Sequence, residues 1–149
     1  MMERWKHYSP QLLSILRIVA AFMFIQNGTM KLFAFPVGMP PAGGTAAPFT
    51  EIWFAGVLEL VGGALILLGI LTRPVAFLLA GEMAVAYFQA HAPASFWTVV
   101  NGGTPAVLYC FFFLYLSAEG PGPWTVPALW HARPSVSHPP AAAAPRLHA

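Results

Sequence analysis

The sequence contains no aspartate, and its acidic complement is five glutamates against seven lysines and arginines. Charged residues make up 8% of the 149 residues, whereas 58% are hydrophobic. An ordinary soluble domain carries about 25% charged residues. From Met83 to Ala118 no acidic or basic side chain occurs, one histidine aside. A water-soluble enzyme domain of this size needs a charged surface that such a chain does not supply. The formal net charge is +2 with no Lys/Arg cluster, so phosphate neutralisation and nucleic-acid binding are excluded as well. A single cysteine, Cys110, excludes an intramolecular disulfide and a Cys-x-x-Cys redox pair. Clusters of His, Cys, Asp and Glu at metal-ligand spacing are missing, so no metal site is expected. A phosphate loop, a nucleophile elbow and a dinucleotide fingerprint are missing too.

What remains is the composition of a membrane protein. A bilayer-crossing helix needs about 20 apolar residues, and the apolar runs leave room for about four. The expected architecture is all-α: an integral membrane four-helix bundle. Residues 1–10 form a polar N-terminus, and the spans fall at about 11–33, 52–71, 74–92 and 100–118. The first run is too long for a signal core and carries Arg17 inside, so it reads as a retained span. Residues 34–50 hold Pro36, Pro40, Pro41, Gly43, Gly44 and Pro48, a density that stops helices. Thr72-Arg73-Pro74 reads as a tight connection with Pro74 opening the next helix. Thr104 reads as an N-cap and Pro105 as the first helical residue. Residues 127–149 read as a disordered Pro/Ala-rich tail.

Four alternating spans put Arg4, Lys6, Arg73, Arg133 and Arg146 on one side and only Lys31 on the other. The positive-inside rule then places both termini in the cytoplasm and the 34–50 loop in the periplasm.

Ionisable groups within spans are costly and are functional candidates by default. They are Arg17, Glu59 and Glu82, with Lys31 near an end. Asn27, Gln89, His91 and Asn101 are the polar residues that accompany them. At about 1.5 Å rise per residue, Arg17 and Glu82 lie about 8 and 12 Å from the cytoplasmic side, Glu59 about 18 Å, and Gln26, Asn27 and Gln89 about 21–23 Å. The expected layers are an inner Arg17/Glu82 pair and an outer set of Glu59, amides and His91. Arg17–Glu82 reads either as an ion pair fixing helix register or as a proton or anion site. Glu59, between Gly56 and Gly63, reads either as a protonated carboxyl bonded to a neighbouring helix or as a proton acceptor beside a bound quinone or other small molecule. His91 reads as an interface residue or a ligand. Cys110 reads as a packing residue, and Phe111-Phe112-Phe113 as lipid-facing and packing surface.

The order of motifs resembles the DoxX family of small bacterial membrane proteins. The residues that carry the resemblance are Leu16-Arg17, Asn27-Gly28-x-x-Lys31-Leu32-Phe33, and Gly56-Val57-Leu58-Glu59-Leu60-Val61-Gly62-Gly63. Further along come Leu71-Thr72-Arg73-Pro74, Gly81-Glu82 through Phe88 with His91, Phe96-Trp97, Asn101-Gly102-Gly103, Leu108-Tyr109 and Gly120-Pro121-Gly122-Pro123-Trp124. The resemblance covers roughly residues 11–126. Thr104 stands where the family usually has an acidic residue, and Thr125-Val126-Pro127 where it often has Ser-x-Asp. Any role of those acids does not carry over. The resemblance implies a four-helix, multi-pass protein of the bacterial inner membrane, linked to redox complexes, with quinone as the cofactor to look for. The chain then acts as subunit or anchor of such a complex and is not expected to catalyse alone. Its partners are the lipid bilayer and other subunits, with a homo-oligomer open. A small-molecule or proton transporter or channel subunit and a scaffold without chemistry are the rival readings.

Overall fold

The computed structural model describes residues 5–131. These residues are helical, joined by turns and loops, and the described part contains no β-strand beyond a single bridge between Met39 and Gly44. Four longer helices carry the architecture: α1 (Ser9–Phe33), α2 (Glu51–Leu68), α3 (Thr72–Ala86) and α5 (Thr104–Glu119). Two short helices, α4 (Thr98–Asn101) and α6 (Val126–His131), lie between α3 and α5 and after α5. The α6 residues fall at the start of the expected tail, whose remainder, with Arg133 and Arg146, lies outside the described residues.

Each helix end has a local cause. Pro10 sits in the first turn of α1, where a missing N–H is harmless, and Ala34 closes the helix in the left-handed conformation. Thr50 caps α2 by accepting the Trp53 N–H at 3.3 Å. Gly69 ends α2 with φ 72°, a conformation glycine adopts without strain. Two boundaries differ from the sequence reading. The α2–α3 connection is Gly69-Ile70-Leu71, and Thr72 is already helical and buried. Gly103 occupies the N-cap position of α5, and Thr104 lies inside the first turn with no side-chain cap. In both places the glycine-bearing turn sets the boundary, and the hydroxyl residue follows it into the helix.

α1 packs along α2, and α3 along α5, while α2 and α3 join the two pairs. The buried positions of α1 are Ser14, Arg17, Ala21, Phe24 and Gly28, alternately three and four apart, which is one helical face. Phe24 meets Tyr109 and Phe113 of α5 at centroid distances of 5.1 and 4.9 Å, tying the two pairs together. Ile66, Leu79, Met83 and Leu116 complete this core. Of the phenylalanine run, Phe113 is fully buried and Phe111 is exposed.

The close approach of α1 to α2 depends on glycine. A Cβ on Gly28 would lie 2.7 Å from the Leu60 amide nitrogen and 2.8 Å from the Gly56 carbonyl oxygen. Small residues of this kind let helices meet backbone to backbone inside a membrane.

α1 and α2 are long and apolar enough to cross a membrane. The best-scoring stretch of each has about a third or less of its residues buried. A core helix of a soluble domain would be mostly buried. The exposed residues here are large and apolar, among them Phe22, Met23, Val61, Phe77, Phe88, Leu108 and Phe111. That surface suits lipid and not water.

Candidate functional site

The glycine contact between α1 and α2 places the last turn of α1 over α2. Lys31 then reaches Glu59, with Nζ donating to Oε1 at 2.6 Å. Glu59 is almost wholly buried, at 2% exposure, and its Oε2 has no partner among the described residues. The pair spans two helices and neutralises a carboxylate that would otherwise be isolated.

Glu82 projects from α3 toward the same region, within electrostatic range of Glu59 and Lys31. Both of its carboxyl oxygens are buried, and neither has a hydrogen-bond partner among the described residues. It lines an open-sided cavity of about 920 Å³ together with Lys31, Phe54, Phe77, Gln89 and His91. Glu51, in the first turn of α2, is a further lining residue.

The helix carrying Glu82 does not end cleanly. α3 runs into a π-helical turn, Tyr87–His91, in which one more residue is fitted into the turn. Such turns recur at functional sites because they redirect side chains. His91 Nδ1 lies 2.9 Å from the Asn101 carbonyl oxygen. A carbonyl only accepts, so Nδ1 carries the proton and donates, and in the neutral tautomer that this bond selects Nε2 is the acceptor. The Tyr87 ring stacks on His91 at 6.4 Å.

The Asn101-Gly102-Gly103 turn holds that carbonyl in place. Asn101 Nδ2 donates to the Ser95 carbonyl at 2.8 Å, and its Oδ1 accepts the Gly103 N–H at 2.7 Å. Gly102 takes φ +70°, and a Cβ on Gly103 would meet the Tyr87 ring at 2.8 Å.

The structure corrects the expected layers. Arg17 does not pair with Glu82. Its Nε donates to the Pro121 carbonyl at 2.8 Å, Nη1 to the carbonyls of Ile66 and Leu67, the latter at 2.7 Å, and Nη2 to that of Trp124. A guanidinium offers five donors in a fixed fork. The end of α2 and the turn after α5 supply carbonyls, of which that of Ile66 also accepts the Gly69 N–H, and together these satisfy the fork where it lies. Arg17 is therefore fully buried without an acidic partner among the described residues. The outer set is corrected too, since Glu59 takes Lys31 and not an amide or His91. Asn27 is half-buried on α1 and is not a lining residue of the cavity. Gln89 and His91 do reach the cavity, whereas Asn101 acts on His91 from the loop behind it.

Two contributors escaped the sequence reading. Glu51 looks like an ordinary first-turn acid, and nothing local marks it as a cavity residue. Tyr87 gave no signal because the π-turn that stacks it on His91 is invisible in apolar periodicity. Gly28 did carry a signal, since it stands in the Asn27-Gly28-x-x-Lys31 motif, three residues before Lys31.

An all-helical chain with a lipid-suited exterior and ionisable residues gathered inside is a membrane-associated protein. The chain belongs to the DoxX family, which it matches over residues 12–92. It is 42% identical over 124 residues to an uncharacterized protein of Haemophilus influenzae, covering 81% of this chain and 92% of that protein. No solved structure matches the chain.

Proposed function

We propose that this DoxX-family protein is a four-span protein of the bacterial inner membrane and serves as subunit or anchor of a redox-linked complex, with a quinone headgroup held in the cavity beside Glu82. The observation that carries the reading is the cavity itself. Its volume of about 920 Å³ suits a ligand of drug-like size, and its walls are mostly apolar with a few convergent polar groups. A quinone carbonyl needs a hydrogen-bond donor and a quinol hydroxyl needs an acceptor. Lys31 provides the first, and His91 Nε2 provides the second.

The spans beyond α1 and α2 are supported by continuity. α3 and the π-turn together rise about 30 Å, enough to cross the hydrocarbon core. Arg17 joins the N-terminal half of α1 to the end of α2 and to the turn after α5, as alternating spans require. The charge asymmetry then favours cytoplasmic termini, with the cavity in the outer half of the bilayer.

Gly81 lines the cavity, and a Cβ added there meets nothing within 4 Å, so Gly81→Leu fills the space without a backbone clash. Solvent extraction of the protein purified in a gentle detergent should yield quinone above the lipid background. The Gly81→Leu variant should lose it. Equal quinone in both, or none above background in either, overturns the quinone reading.

A further inference from the structure

We propose that the cavity between α2 and α3 binds an organic monocation, with the Glu82 carboxylate as its counter-ion. The proposal rests on reading this cavity as a ligand site and is independent of the redox role.

The cavity wall carries one cationic side chain, Lys31, and that charge is neutralised by Glu59 at 2.6 Å. Two carboxyls remain: Glu82 inside the cavity and Glu51 in the first turn of α2. His91 is the remaining titratable group among the described lining residues, and its Nδ1–H is directed at the Asn101 carbonyl, away from duty as a counter-ion. The lining therefore has an excess of acidic groups over unpaired basic ones.

Geometry comes next. Both Glu82 oxygens are buried without a partner among the described residues, although native structures rarely leave such atoms unsatisfied. A lone carboxylate at that depth is costly, and a cation that delivers its charge there removes the cost. The other requirement of a lipophilic cation is an aromatic or apolar wall. Phe54 and Phe77 line the cavity, and aromatic faces attract organic cations. The cavity is open-sided and its lining includes the exposed apolar residues Phe77, Leu78 and Val85, so a cation carrying apolar groups can enter sideways from the bilayer. A small hydrated metal ion would find no group of three or more ligating side chains among the described residues, which is too few ligands.

Tetraphenylphosphonium is a suitable probe, since it offers charge and aromatic bulk without hydrogen-bond donors. Its binding to the full chain in lipid nanodiscs is measured by equilibrium dialysis for the wild type, Glu82→Gln, Glu82→Asp and Gly81→Leu. The wild type and Glu82→Asp should bind. Glu82→Gln should weaken binding by about 30-fold or more, as expected for removing a buried charge partner. Gly81→Leu should abolish it. Thermal unfolding of each variant reports whether it is folded. Binding that is absent in the wild type, or equal in Glu82→Gln and wild type, overturns the proposal. A short-chain quinone is tested in parallel. If it binds and is blocked by Gly81→Leu while the phosphonium does not bind, the cation proposal falls and the quinone reading stands. If neither ligand binds, both fall.

Discussion

Arg17 and Glu82 are both ionisable residues on apolar helices, and they are treated in opposite ways. Arg17 is completely buried, and each of its guanidinium nitrogens donates to a backbone carbonyl. Glu82 is buried at both oxygens, and neither oxygen has a partner among the described residues. A charge whose hydrogen bonds are saturated by backbone holds the fold together and has nothing left to offer a ligand. A carboxyl without partners contributes little to the fold and keeps its chemistry available. The scarcity of charge in this chain thus resolves into two uses, a staple at one end of the helices and a site toward the other.

The comparison breaks most sharply at Arg17. Removing its side chain takes the donor from the carbonyls of Leu67, Pro121 and Trp124 and leaves that of Ile66 only the Gly69 N–H, at the junction of three segments. Each buried group left unpaired costs about 1–3 kcal/mol. Arg17→Ala should therefore destabilise the protein by about 3 kcal/mol or more, read as thermal unfolding in detergent. Arg17→Lys should recover part of that loss, because an ammonium donates from a single point and does not span the fork. If Arg17→Ala unfolds like the wild type, the carbonyl cluster is not a staple.

Gly28→Ala comes second. The added Cβ would sit 2.7 Å from the Leu60 amide, and backbone does not yield as a side-chain tip does. α1 and α2 must separate locally, at a cost of about 1–3 kcal/mol. The separation also draws Lys31 away from Glu59. The effect should therefore exceed that of Gly81→Ala, where the new methyl meets nothing within 4 Å. Equal stability of the two alanine variants would show that the helices are not held at contact by Gly28.

How much of this was legible beforehand follows from the kind of signal involved. Apolar run length and proline placement locate α1 and α2 closely, because helix ends at Pro10, Thr50 and Gly69 are set by local backbone chemistry. The boundaries at Thr72 and Thr104 are off by two residues and by one, since a glycine-bearing turn just upstream sets each of them. The residue types of the site were visible, as intramembrane ionisable groups always are. Their pairing was not. Depth along a helix axis does not say which way a long side chain reaches. Lys31 and Arg17 each carry flexible stems that cover several ångströms and settle on the nearest acceptors. Those acceptors are backbone carbonyls for Arg17, which no pattern of side chains can announce. The π-turn that brings Tyr87 and His91 together shifts register by one residue, a change that periodicity over short apolar runs does not resolve.

Arg73 sharpens the comparison at smaller amplitude. It repeats the Arg17 device at the surface, with Nη2 donating to the Glu119 carbonyl at 3.2 Å and Nη1 to the Ala118 carbonyl at the end of α5. Because it is exposed, water competes for the same carbonyls. Arg73→Ala should cost at most about 1 kcal/mol, the usual scale of a cation at a helix C-terminus. A loss as large as that of Arg17→Ala would mean that burial is not what separates a strong staple from a weak one.

The smallest effect on stability belongs to Glu82, and there the expected sign differs. Glu82→Gln keeps the side-chain volume and replaces a carboxyl whose oxygens accept no hydrogen bond from the described residues. The two oxygens make no hydrogen bond within the described fold, so none is lost. Stability should change by less than about 0.5 kcal/mol, or rise slightly, because desolvating a neutral amide is cheaper than desolvating a carboxylate. The same unfolding measurement that registers Arg17→Ala decides this. A loss above about 1 kcal/mol would reveal a structural partner for Glu82. The contrast between a charge built into the fold and a charge kept free for a ligand would then fail. A neutral result in stability, set beside lost ligand binding in the same variant, is the signature that separates a site residue from a structural one.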